Sequence, residues 1–166
     1  MKAKVLIVLF LWGAIAASDV LACGNKFLVA SRGTRFGKVP VARQEAAILV
    51  YANPESTMPK AIGDVPVEVV LLQAGYLPTT VADRTELDEA LSQGGWDLVL
   101  ADLDDSAALR GRLQVEGAPM VVPVLFEPSR TELAQAKKDY GSAIKAPFKS
   151  QRFLESVDDA VALLGE

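Results

Sequence analysis

The apolar positions of this chain follow two rhythms. From Val5 to Ala17 almost every residue is apolar, and from Ala46 onward short apolar runs alternate with segments whose apolar positions recur every three or four residues. Short continuous runs fit strands buried on both faces, and the three-to-four spacing fits helices with one buried stripe. Ala46-Ala47-Ile48-Leu49-Val50-Tyr51 predicts a first strand, ended by Asn53-Pro54-Glu55-Ser56. A helix is expected from Asp64 as N-cap, with Pro66 in its first turn, where a missing N–H costs little. Val67, Val70, Leu71 and Ala74 form its stripe, and Gly75 stops it. Leu77 to Ala82 predicts a second strand. Asp83 with Glu86 resembles a capping box, and it opens a helix with Leu87 and Leu91 facing inward.

Gly94-Gly95 turns the chain into a third strand, Trp96 to Ala101, ending at Asp102. A short helix is expected over Ser106 to Leu113, and a fourth strand over Met120 to Phe126. Ser129 and Glu132 predict a capping box for a helix reaching about Tyr140. Ala143 to Lys145 predicts a fifth strand. Ser150 is the expected cap of a last helix, with Phe153, Leu154, Val157, Val161 and Leu164 on one apolar face. Strands that alternate with helices imply a parallel sheet covered on both sides. The fold class is therefore α/β, three-layered, and right-handed crossovers favour strand order 2-1-3-4-5.

The opening run adds a compartment. Lys2 and Lys4 precede it, and its length suits a signal segment better than a membrane span. Val20 and Ala22 fit ordinary cleavage before Cys23, while Val20-Leu21-Ala22-Cys23 is similar to a bacterial lipobox, in which Leu21 is larger than the preferred residue. Both routes predict export, either to the periplasm or, with Cys23 lipidated, as an outer-membrane lipoprotein. Three segments follow: a signal peptide at 1–22, an arm at 23–44 and the α/β domain at 45–166. The arm holds Lys26, Arg32, Arg35, Lys38 and Arg43 and no acid. The domain holds 10 basic and 20 acidic groups, a balance of −10. A basic arm before an acidic domain fits an interaction tail that meets a partner through Arg32, Arg35 and Phe36, and equally an arm that packs back on its own domain. The expected partner is an envelope protein, with a lipid anchor or membrane-surface association as the other contact and no nucleic acid.

Composition removes several chemistries. The chain has no histidine, so triads, an imidazole base and histidine metal ligands are excluded. Cys23 is the sole cysteine, so an internal disulfide and a thiolate cage are excluded. No Gly-rich phosphate loop and no Gly-x-Ser-x-Gly elbow is present. No cofactor is expected.

Trp96-Asp97-Leu98-Val99-Leu100-Ala101-Asp102 and Ile144-Lys145-Ala146-Pro147-Phe148, at their places in the five-unit rhythm, carry a likeness. Over residues 46 to 165 the chain resembles the receiver domain of bacterial response regulators, a member of the flavodoxin-like superfamily with the CheY-like fold. The resemblance implies that Asp102 stands at the phospho-acceptor position. It also implies an acid pair after the first strand, a hydroxyl after the fourth and a lysine before the proline. Here Ala52-Asn53-Pro54 replaces the acid pair, Ser129 is the one hydroxyl near the fourth strand, and Ala146 replaces the lysine, with Lys145 one place earlier. Phosphoryl transfer rests on positioning and charge neutralisation, so a degenerate site without phosphotransfer is expected.

The rim at the carboxyl ends of the strands is expected to carry Asn53, Asp104, Asp105, Glu127, Ser129 and Lys145 around Asp102. Two arrangements fit those residues. In one, Asp102 pairs with Lys145 while Asp104 and Asp105 cap the next helix. In the other, the oxygens hold a divalent cation. The first leads to a non-enzymatic interaction module of the cell envelope with no catalytic residue and no metal. The second leads to a metal-dependent enzyme or small-ligand binder. The crowded acids predict that Asp102→Asn leaves stability unchanged or raised.

Overall fold

The structure, a computed structural model, describes residues 45–165. The expected signal segment, Cys23 and the arm with Arg32, Arg35 and Phe36 lie outside the described residues. Five strands build one parallel sheet: β1 (Ala47–Tyr51), β2 (Leu77–Val81), β3 (Leu98–Asp102), β4 (Met120–Phe126) and β5 (Ile144–Ala146). Their order is β2-β1-β3-β4-β5, as the pattern of apolar runs predicts. β3 is buried throughout, and β1 and β4 are buried except at their ends, because both faces are covered. Ile48, Val50, Leu98, Leu100, Val122 and Val124 point to one face and Leu49, Val99, Ala101 and Val121 to the other. This period of two explains why the strands read as unbroken apolar runs.

On the first face lie α1 (Met58–Ile62), α2 (Val67–Gln73) and α6 (Ser150–Ala162), burying Met58, Leu71, Phe153 and Val157. On the second lie α3 (Arg84–Gln93) and α4 (Leu103–Arg112) through Leu87, Ala90 and Leu109. α5 (Arg130–Tyr140) packs Ala136 against Leu125 and Ala143. Trp96 is a packing residue whose indole N–H donates to the Ala90 carbonyl at 2.7 Å. Among the described residues no helix is long and apolar enough to cross a membrane.

Several helix starts differ from expectation. Helix α1 comes before the expected start, and Pro66, not Asp64, is the N-cap of α2. Gly63, at φ 54, separates these two short helices. Helix α4 begins at Leu103 with Asp102 as its cap, so Ser106 is a buried interior residue whose hydroxyl donates to the Ala101 carbonyl. Lys149 rather than Ser150 caps α6, and Leu164 is 39% exposed instead of completing its apolar face. Asp83 caps α3 by accepting from Glu86 N, while Glu86 accepts from Ala82 N rather than from the cap residue.

The capping box of α5 is complete. Ser129 Oγ accepts from Glu132 N at 3.2 Å, and Glu132 accepts from Ser129 N at 2.8 Å. Hydrogen bonding from the Ser129 hydroxyl, and then from its backbone, lowers the Glu132 pKa. A lowered folded-state pKa contributes stability above the unfolded value that is lost as pH falls through the folded one. Glu132→Gln is therefore expected to melt below wild type at neutral pH. The gap should narrow between about pH 7 and pH 3, as the pH falls below the ordinary carboxylate range and Glu132 begins to take up its proton. Paired thermal melts at the two pH values check this.

At the sheet's outer edge, Leu77 N donates to Ala46 O and Ala52 N donates to Val81 O. The parallel ladder thus turns the backbone groups of Leu77, Thr79 and Val81 toward β1 and those of Pro78 and Thr80 outward.

Candidate functional site

Asp102 ends β3 and is 7% exposed. It follows Leu98 and Leu100 on the face that packs α1 and α6. Its carboxylate is shared among three donors. Oδ2 accepts from the Thr57 backbone N–H at 3.3 Å and from the Thr57 hydroxyl in a short hydrogen bond. Oδ1 accepts from Asp104 N at 3.1 Å, which caps α4. Thr57 stands at the N-cap of α1 and makes no side-chain cap to its own helix. Its hydroxyl is directed across to β3 instead. The carboxylate thus joins the starts of two helices, where the unpaired N–H groups of each favour negative charge.

The loop that delivers Thr57 is built on Asn53. The Asn53 amide donates to Asp105 Oδ2 at 3.1 Å, its side-chain oxygen accepts from Glu55 N at 3.0 Å, and its carbonyl accepts from Ser56 N and Ser56 Oγ. Ser56 Oγ in turn accepts from Met58 N at 3.1 Å. Asn53 therefore ties the β1 loop to the first turn of α4, in the region where the receiver resemblance implies an acid pair. Burial, and then the negative charge of Asp105, raises the Tyr51 pKa below this loop.

The expected Asp102–Lys145 pair is not formed. Among the described residues the ion pairs are Arg112–Asp88 and Arg152–Glu155. Register gives the reason. Asp102 lies beside Val124 and Val124 beside Ile144, all on one face, whereas Lys145 lies beside Leu125 on the opposite face and is exposed. A one-residue offset along a strand moves a side chain across the sheet. Ala146, beside Phe126, holds the position on the Asp102 side.

The remaining rim residues divide. Asp104 and Asp105 lie in the first turn of α4, and the cap itself is Asp102. Ser129 is committed to the α5 capping box. Glu127 adopts a left-handed φ of 48°, uncommon for a residue with a side chain, and its N–H donates to Ala146 O at 2.8 Å. The structure therefore brings together Asp102, Asn53, Asp104 and Asp105, and leaves Ser129 and Lys145 engaged elsewhere or turned away. Asp102→Asn keeps a capping oxygen but gives up one acceptor, so the expectation of unchanged or raised stability no longer fits this geometry.

Thr57 is the residue that sequence reasoning missed. It sits 45 positions from Asp102, and no local spacing links the two. Among the described residues no cluster of three or more metal-ligating side chains forms. Every buried side-chain polar atom there has a hydrogen-bond partner. Chemically, the arrangement holds a carboxylate by internal donors, and the loop after β1 offers Asn53 rather than an acid pair beside it.

No protein-family model matches the sequence, and no curated protein matches it. Solved structures do. The chain is similar to NtrX from Brucella abortus, with a TM-score of 0.57 and 21% identity, over 74% of this chain and 27% of that one. It is also similar to HP1043, an orphan response regulator of H. pylori, with a TM-score of 0.52 and 16% identity, over 72% of this chain and 98% of that one. At these identities the likeness concerns the fold, and strand order, all-parallel pairing and helices on both faces agree with it. The described part of the chain has the receiver-type α/β fold.

Proposed function

We propose that this protein is an exported, non-enzymatic receiver-like module of the cell envelope, which acts by binding a partner and is not phosphorylated. The observation that carries the reading is the Asp102 carboxylate, whose two oxygens are taken by Thr57 and by the Asp104 N–H. Phosphoryl transfer onto a carboxylate needs one oxygen free to attack and a cation to gather the developing charge. Here Oδ2 carries two hydrogen bonds and Oδ1 one, which draws electron density from both oxygens and weakens them as nucleophiles. Asn53 stands where paired acids are implied, and the lysine position is Ala146. Export follows from the apolar run at residues 5 to 17 and the processing site at Cys23. The partner is an envelope protein met through the basic arm, with Arg32 and Arg35 suited to carboxylates or phosphates.

Incubation with acetyl phosphate and Mg²⁺ is the test. Trapping of any acyl phosphate followed by peptide mass spectrometry should show Asp102 unmodified. Stoichiometric phosphate on Asp102 would overturn the reading. Thr57→Ala separates the causes. If the hydroxyl clasp alone blocks transfer, slow labelling of Asp102 appears in that variant. If the missing acids and lysine suffice, it stays unlabelled.

A further inference from the structure

At the end of the sheet opposite Asp102, an open groove of about 300 Å³ runs between the last turns of α4 and α5. Leu113, Pro119 and Met120 form its apolar part, and Arg110, Asp139 and Tyr140 flank them. The apolar surface continues past the groove. Val115, between Leu113 and Pro119, is 69% exposed, and Leu163 is 41% exposed. A Cβ placed on Gly141 would lie 3.4 Å from Met120 and 3.9 Å from Leu163, so both side chains border Gly141, next to Tyr140 of the groove. Large apolar side chains grouped in this way mark an interaction face more often than a solvated one.

The charges beside the groove select the occupant. The Arg110 guanidinium lies 5.1 Å from the Tyr140 ring centroid. Asp139 accepts from the Gln135 amide. Neither belongs to an ion pair among the described residues. One cation and one anion beside the same apolar floor suit a surface that repeats the pattern in reverse. A two-fold axis does this: residue i of one copy meets residue j of the other, and j meets i. We propose that this face pairs with the same face of a second copy of this chain. Arg110 of each copy then reaches Asp139 of the other, and Val115 and Leu163 are buried between them.

Sedimentation equilibrium of the full chain, recovered from an expressing bacterium, tests the pairing. A concentration-dependent dimer is expected. Arg110→Glu and Asp139→Arg should each weaken it by about tenfold or more, since each leaves a charge facing its like. The double variant should restore affinity to within about threefold of wild type, because the pair is then reversed rather than broken. Val115→Asp should weaken the dimer without touching either charge. Circular dichroism establishes that each variant is folded, which exposed positions permit. A monomer at every concentration overturns the proposal. So does a dimer that none of the variants weakens, or a double variant as weak as the single ones.

Discussion

Asp102→Ala is expected to destabilise the domain by about 2–3 kcal/mol, a fall in melting temperature on the order of 10 °C. The size follows from what one side chain holds. Loss of an N-cap costs about 1 kcal/mol, and loss of hydrogen bonds to a charged acceptor about 1.5–3 kcal/mol, with partial overlap between the two. Truncation removes the acceptor for the Thr57 hydroxyl, the Thr57 N–H and the Asp104 N–H together. Thr57→Val removes one of these bonds and should cost about 1 kcal/mol. Asp102→Asn should fall near the same value, because it supplies one acceptor oxygen where the carboxylate supplies two. A double-mutant cycle between positions 57 and 102 should give a coupling energy of roughly 1 kcal/mol. Additive effects at the two positions would rule out the clasp.

Phe153→Ala is expected to cost about 3–5 kcal/mol, a large share of the stability of a domain this size. Phe153 is 1% exposed and belongs to the core cluster with Ile144, Ala146 and Val157. Its ring stacks on Phe148 at 4.8 Å between centroids, so truncation forfeits an aromatic pair as well as buried area. The cavity also lies beside Ile144 and Ala146 of the short edge strand β5, which share the core cluster with Phe153. Urea denaturation should show a lower midpoint with an unchanged slope. Phe153→Leu keeps most of the volume and should recover more than half of the loss.

Strand count and the α5 capping box were legible because each rests on a local signal, and strand order followed from the handedness of the crossovers. Continuous apolar runs mark doubly covered strands, and Ser129 with Glu132 satisfies helix N–H groups within one turn. Helix α1 was not legible. It is a helix of five residues with Pro59 inside and Gly63 at its end, too short to show a repeating stripe. The start of α4 was missed because Asp102 both ends a strand and caps a helix, leaving no turn residues between. The candidate site was legible as a location at the strand ends, not as a set of bonds. Lys145 matched by nearness in sequence, but strand alternation placed it across the sheet. Thr57 matched nothing, since its role depends on a fold-level contact.

The two outward residues of β2 also bear on aggregation. An unpaired sheet edge is a template on which another chain can add a strand. Pro78 has no N–H to offer, and the next N–H but one along that edge, from Ala82, is taken by Glu86. Between them, Thr80 alone presents an outward N–H, so an incoming strand finds no regular ladder. The β2 edge is therefore poorly suited to seeding fibrils.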